Sequence, residues 1–311
     1  MALWRPSSRI ANVALLGLLA LDVALVGSAL KSTHTSGIDT SPVSTAAASV
    51  SSAGASGSTS LPTSLSGSAN APLETMLVAL DDQQAWRVAA GSCSDGGATL
   101  GTTVDGGKTW AKVSTNLKRI VRVKPDNNRA AFIVGADASC AALLMSTSNG
   151  GDTWAKGGGL GRAWFRDPQD SLVVRAPGSA SSRPCGKETV LDLAVLTAAG
   201  SARVLCADGL VRSTTDNGSV WTDAGKVDGA VALAVPSAGQ AETYVARLGA
   251  PECAGVQILR VRQLLETSCI QRSVPVGPGQ IAMSLVKGGG WLALGDTTMR
   301  STDDLVTWQV A

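Results

Sequence analysis

The sequence predicts an all-β fold, a β-propeller of six blades with five as the alternative, carried behind an N-terminal transmembrane helix and a linker. Three observations predict it. A Trp-anchored hairpin recurs four times between Thr103 and Trp308. Short apolar strands, each followed by Gly, Pro, Asp or Asn, fill residues 73–311 with no stretch of helical period among them. One long apolar run stands near the start, separated from the strands by a Ser- and Ala-rich tract.

The repeated hairpin places a hydroxyl residue seven before a tryptophan, Asp or Asn five before it, and usually Gly three before it. Its copies are Thr103, Asp105, Gly107, Trp110; Thr147, Asn149, Gly151, Trp154; Thr214, Asp216, Gly218, Trp221; and Ser301, Asp303, Trp308, with Leu305 in the glycine place. Asp or Asn at the head of a turn accepts backbone N–H groups two residues on, and Gly supplies the positive φ of a hairpin. Trp adds a large apolar plate that locks the hairpin to its neighbours. The first three tryptophans lie 44 and 67 residues apart and the last interval is 87, about twice the first. A period of about 40–50 residues with four short strands is that of a propeller blade.

The pattern resembles the Asp-box, or bacterial neuraminidase repeat, of sialidase-like propellers. That resemblance implies a turn between the third and fourth strands of a blade and a structural role for Asp105, Asn149, Asp216 and Asp303. The strand–box succession is also similar to photosystem II assembly-factor-like repeat proteins, which implies binding or assembly without catalysis.

Residues 1–9 carry Arg5 and Arg9 and no acid, so they read as a cytoplasmic N-terminus. Residues 10–30 follow with only Asn12, Asp22 and Ser28 polar; as a helix they span about 31 Å, one hydrocarbon core. Length favours a retained signal anchor, while Gly27 and Ala29 leave a cleaved signal peptide open. Residues 31–72 hold 33 Ser, Thr, Gly, Ala or Pro among 42, too little apolar surface to fold, and read as a disordered linker. Residues 73–311 form the propeller. First strands are expected at 76–80, 120–124, 163–166, 190–196, 230–235 and 281–286. Second strands follow at 85–90, 130–135, 171–176, 202–206, 243–248 and 291–295. The blade starting at Ala163 lacks the repeated turn.

Cys93, Cys140, Cys185, Cys206, Cys253 and Cys269 all follow the apolar run, and an even count on the exported side argues for disulfides. Six cysteines allow fifteen connectivities. Proximity and strand position favour Cys185–Cys206, Cys253–Cys269 and Cys93–Cys140. His34, the one histidine, sits in the linker, and no CxxC occurs, so neither a metal nor a cofactor is expected. Lys and Arg number 26 against 24 Asp and Glu, with no basic run, which argues against nucleic acid.

An enzyme on this fold would be a glycan-processing hydrolase. Glu242 and Tyr244, two residues apart and so on one side of a strand, are the material for it. Arg87, Arg122, Arg166, Arg175, Arg203 and Arg247 recur on first and second strands; several turned inward would hold a carboxylate, sulfate or phosphate. The function expected is a non-catalytic, membrane-anchored extracytoplasmic module for a protein or cell-envelope polymer. A secreted propeller and a hydrolase are the alternatives.

Overall fold

The computed structural model describes residues 74–178, 180–236, 242–271 and 276–311. Residues 1–9, 10–30 and 31–72, read above as N-terminus, membrane helix and linker, lie outside the described residues. Those described form six antiparallel sheets in chain order. Blade 1 is β1 (Thr75–Ala79), β2 (Ala85–Ala89), β3 (Thr99–Thr103) and β4 (Ala111–Val113). Blade 2 is β5 (Arg119–Pro125), β6 (Ala131–Ala136), β7 (Ala142–Thr147) and β8 (Ala155–Lys156). Blade 3 has three short strands, β9 (Phe165–Arg166), β10 (Val174–Arg175) and β11 (Ser181–Ser182). Blade 4 is β12 (Val190–Val195), β13 (Ala202–Cys206), β14 (Leu210–Thr214) and β15 (Thr222–Lys226). Blade 5 is β16 (Ala230–Ala234), β17 (Tyr244–Arg247), β18 (Gly255–Arg260) and β19 (Leu265–Gln271). Blade 6 is β20 (Ile281–Val286), β21 (Gly289–Leu294), β22 (Thr297–Ser301) and β23 (Gln309–Val310).

The first strand of each sheet meets that of the next, β1 to β5, then β9, β12, β16 and β20, and β20 returns to β1. The ring therefore closes, and the fold is a six-bladed β-propeller. Its core is divided accordingly. Six buried clusters each join two consecutive blades: Trp86 and Ile133 share one across blades 1 and 2, Ile258 and Leu292 another across blades 5 and 6. The inner strands are packed against a neighbouring blade on each face, while outer strands such as Ala155–Lys156 and Gln309–Val310 stay exposed, which is why the inner strands read as nearly continuous apolar runs rather than as alternating ones.

The expected strand at 171–176 shrinks to Val174–Arg175. The cause is a tight turn. Asp167 N–H donates to the Val173 carbonyl, Val173 N–H to the Asp170 carbonyl, and the Asp167 carboxylate pairs with Arg175 at 2.8 Å. These bonds leave two residues per strand for the ladder.

The four repeated turns join the third strand to the fourth in blades 1, 2, 4 and 6. In blade 1, Thr103 Oγ1 donates to Asp105 Oδ1 (2.8 Å) and accepts Gly107 N–H (3.0 Å). Asp105 in turn accepts Thr109 N–H (3.0 Å) and Thr109 Oγ1–H (2.6 Å). Ser301 and Asp303 make the corresponding bonds. Asn149 and Asp216 repeat the hydroxyl and backbone ones, but Asn149 donates from Nδ2 to Thr153 Oγ1, and Asp216 has Val220 in place of the second Thr. Each turn needs two successive residues at positive φ. Gly107 (φ 90°) has a second reason to lack a side chain: a Cβ there would stand 2.7 Å from Ala311 Cβ. In blade 6 Leu305 takes the same place at φ 72° and buries its side chain between blades 5 and 6.

The tryptophans closing these turns lean on the preceding blade. Trp154 meets Trp86 and Trp110 meets Trp291 edge to face, each with centroids 6.4 Å apart; Trp221 meets Trp164 at 6.2 Å. Trp308 donates from Nε1 to Ser268 Oγ of blade 5 (2.9 Å). All six cysteines pair. Cys93–Cys140 joins blade 1 to blade 2, Cys185–Cys206 joins the segment after blade 3 to blade 4, and Cys253–Cys269 lies within blade 5.

Candidate functional site

The inner strands enclose an axial cavity of about 380 Å³, lined from all six blades. Its character follows from register. On one corresponding rung, Met76 faces Val88 in blade 1, Arg122 faces Val134 in blade 2, and Asp192 faces Leu205 in blade 4. Ala232 faces Ala246 in blade 5 and Ala282 faces Ala293 in blade 6, while Arg166, opposite Val174, takes the place in blade 3. Three neighbouring blades thus bring charge to this level of the axis, and the other three bring Met, Ala and Ala. In blades 2, 4 and 5 the pairing shifts just before this rung, leaving Val121, Leu191 and Val231 as bulged residues that line the cavity.

Arg166 is buried and donates from Nη1 to the carbonyls of Val190 (3.0 Å) and Leu191, so it ties blade 3 to blade 4. Asp192 accepts its neighbour's Leu193 N–H (2.7 Å) and, across to blade 5, Leu233 N–H (2.9 Å). Arg122 lies deep in the wall, partly open to the cavity, and its Nε has no hydrogen-bond partner among the described residues. No direct ion pair joins Asp192 to either arginine among the described residues.

Removal from water dominates all three charges. It lowers Arg122 and Arg166 to about 10 each, against a weaker pull from Asp192. Both stay protonated at neutral pH. Burial pushes the Asp192 carboxyl up, opposed by Arg166, by the two N–H groups it accepts and by Arg122. Lys124 also reaches the lining, but its ammonium is paired with Asp126 at 2.5 Å.

Of the six arginines singled out in the sequence, Arg122 and Arg166 line this cavity. Arg87, Arg175, Arg203 and Arg247 do not, because they sit on second strands, one ladder spacing farther from the axis. Arg87 instead donates to the Gly295 and Asp296 carbonyls and Thr298 Oγ1 of blade 6. Arg175 pairs with Asp167, Arg203 donates to the Glu242 carbonyl and Thr243 Oγ1, and Arg247 binds Gln257 and Glu252.

Glu242 and Tyr244 are likewise outside the lining. Glu242 precedes β17 with its Oε2 buried and without a hydrogen-bond partner among the described residues. Tyr244 packs between blades 5 and 6, with the Arg260 guanidinium 5.6 Å from its ring centroid. Asp192 was not singled out in the sequence, although a signal was there. It is the lone charge in the apolar strand Val190–Val195.

The arrangement can hold an anionic group beside an apolar surface. Among the described residues no group of three or more His, Cys, Asp or Glu is placed to hold a metal ion.

No protein-family profile and no curated protein sequence matches the chain. Solved structures similar to it include YCF48 from Cyanidioschyzon merolae, at 15% identity and a TM-score of 0.40 over 78% of this chain and 86% of that one. Aleuria aurantia lectin, described as a six-bladed β-propeller with a novel fucose recognition mode, is similar at 11% identity and a TM-score of 0.47, covering 77% and 96%. The Niastella koreensis GH74 enzyme is similar at 12% identity and a TM-score of 0.42, covering 75% of this chain and 46% of that one. Identities this low carry no ligand, partner or activity across to this chain.

Proposed function

We propose that this chain is a membrane-tethered, extracytoplasmic propeller that binds a partner without transforming it, the partner being a protein or a cell-envelope polymer. The observation that carries the reading is the axial cavity, where the buried Arg166, the half-buried Arg122 and one carboxylate face an apolar wall. Such a lining orients a bound group. Glycoside hydrolysis works with two carboxyl groups about 5–10 Å apart, one of them free to move a proton. Asp192 is the one carboxylate among the described lining residues, and its oxygens already accept two backbone N–H groups. Three disulfides support residence in an oxidising compartment, and the apolar run at 10–30 supports a tether.

Crosslinking in intact cells, followed by capture of the full-length chain from membranes, should recover a specific partner and leave it chemically unchanged. Release of a fluorescent sugar from a model glycoside by the purified chain, abolished in Glu242→Gln, would establish the hydrolase instead.

A further inference from the structure

We propose that the axial cavity binds one small organic monocarboxylate, its charged end held by Arg122 and Arg166 and its apolar body against the wall formed by blades 5, 6 and 1. This rests on the binding reading above and gives that site a ligand class.

The charge balance selects the head group. Arg122 and Arg166 bring two positive charges, and Asp192, whose two oxygens each accept a backbone N–H and donate to no partner among the described residues, brings one negative charge; Lys124 is already paired with Asp126. One positive charge is left uncompensated in a wall removed from bulk water. A buried ion without a partner is strongly disfavoured, so the cavity is matched to a monoanion, and a dianion would overshoot. The donors are also in place. Arg122 lines the cavity, half-buried, and its guanidinium makes no hydrogen bond among the described residues, while Arg166 uses Nη1 for the Val190 and Leu191 carbonyls, leaving other donors of its guanidinium for a carboxylate. Asp192 is turned to backbone donors at Leu193 and Leu233, so it does not neutralise Arg122 by direct contact.

The opposite wall selects the rest of the molecule. Met76, Val231, Leu233, Ala282, Met283 and Leu285 line it and supply no charge. Two methionines let that wall adapt its shape to an apolar body. The cavity volume of about 380 Å³ falls within the range of small-ligand sites, roughly 300–1,000 Å³. Inorganic anions would use the arginines and leave the apolar side wet.

The test is calorimetric titration of the purified full-length chain with three probes: 4-phenylbutyrate, the uncharged 4-phenylbutanamide and inorganic sulfate. The expected result is saturable one-to-one binding of 4-phenylbutyrate, with the amide and sulfate each at least ten-fold weaker. Arg122→Gln should weaken the carboxylate at least ten-fold, and Asp192→Asn should tighten it about three-fold or more by removing the competing negative charge. Undetectable binding of 4-phenylbutyrate overturns the proposal, as does equal binding of the amide or of sulfate, or a folded Arg122→Gln chain that binds unchanged. The three wild-type titrations decide the matter should either variant fail to fold. A negative titration leaves capture of a macromolecular partner standing, whereas sugar release would remove the binding reading itself.

Discussion

Trp154 of blade 2 stands edge-on to Trp86 of blade 1, their ring centroids 6.4 Å apart at 81°. The same geometry joins Trp110 to Trp291 across the junction where the ring closes, 6.4 Å apart at 81°. The tryptophan of the repeated turn therefore acts between blades as much as within one. Trp154→Ala should remove that contact and its share of the core between blades 1 and 2. The expected loss is about 2–4 kcal/mol, since Trp154 is only partly buried. Urea unfolding of the variant against wild type measures it, and a change below about 0.5 kcal/mol would show the pair to be incidental.

The carboxylates of the turns predict acid sensitivity. Hydrogen bonds from Thr109 and Thr103 hold Asp105 down to about 2, and those from Thr307 and Ser301 do the same for Asp303. Asp216 is lowered too, chiefly by the Val220 N–H. A carboxyl that is more acidic in the folded chain than in the unfolded one stabilises the fold above the unfolded value of 3.8, and that contribution fades as pH falls toward about 2. The urea midpoint should accordingly drop between about pH 4 and pH 2. Asn149 makes the same turn without a titrating group, its Oδ1 accepting Thr153 N–H at 3.1 Å. The double variant Asp105→Asn, Asp303→Asn should therefore fold and show a shallower drop. Asp95, Asp137 and Glu252 are also lowered and keep part of the slope. An unchanged slope would place the acid sensitivity elsewhere.

Cys93–Cys140 closes a loop of 47 residues and ties blade 1 to blade 2; Cys253–Cys269 closes 16 residues within blade 5. Loop-closure entropy gives about 4 kcal/mol for the first and about 3 for the second. Replacing both cysteines of a pair with Ser should thus cost more stability at Cys93–Cys140 than at Cys253–Cys269. The reverse order of thermal midpoints would mean that local packing, rather than chain entropy, governs these bonds.

Blade 3 should open first. Its three strands contribute two residues each, where its neighbours β5 and β12 run to seven and six. Few ladder bonds and short strands lower the free energy of local opening. Peptides covering residues 163–183 should take up deuterium at least ten times faster than those covering 119–147. Equal protection would mean that Arg166, through its bonds to the Val190 and Leu191 carbonyls, fastens blade 3 as firmly as a fourth strand.

The repeated turns were legible in the sequence because their physics is local. Thr103, Asp105, Gly107 and Trp110 lie within eight residues, and each has its partner inside that span or on the adjoining blade. Strand positions were legible for the same reason, with inner strands such as Ile281–Val286 marked by an apolar run that only Ser284 interrupts. The arginines show where local reasoning stops. Alternation along a strand says that Arg87 and Arg203 share a face with other residues, yet it does not say how far their strands lie from the axis.

By itself the sequence determined a chain of Trp-closed hairpins with an even set of cysteines, since residues a few positions apart fix a turn whatever surrounds them. Only the tertiary structure decided what meets at the axis. Arg122, Arg166 and Asp192 are 44 and 26 residues apart in the chain, and they share one cavity because ring closure and strand register bring three inner strands to the same level. The same holds for Leu305, which keeps a glycine's backbone conformation because the space between blades 5 and 6 has room for its side chain.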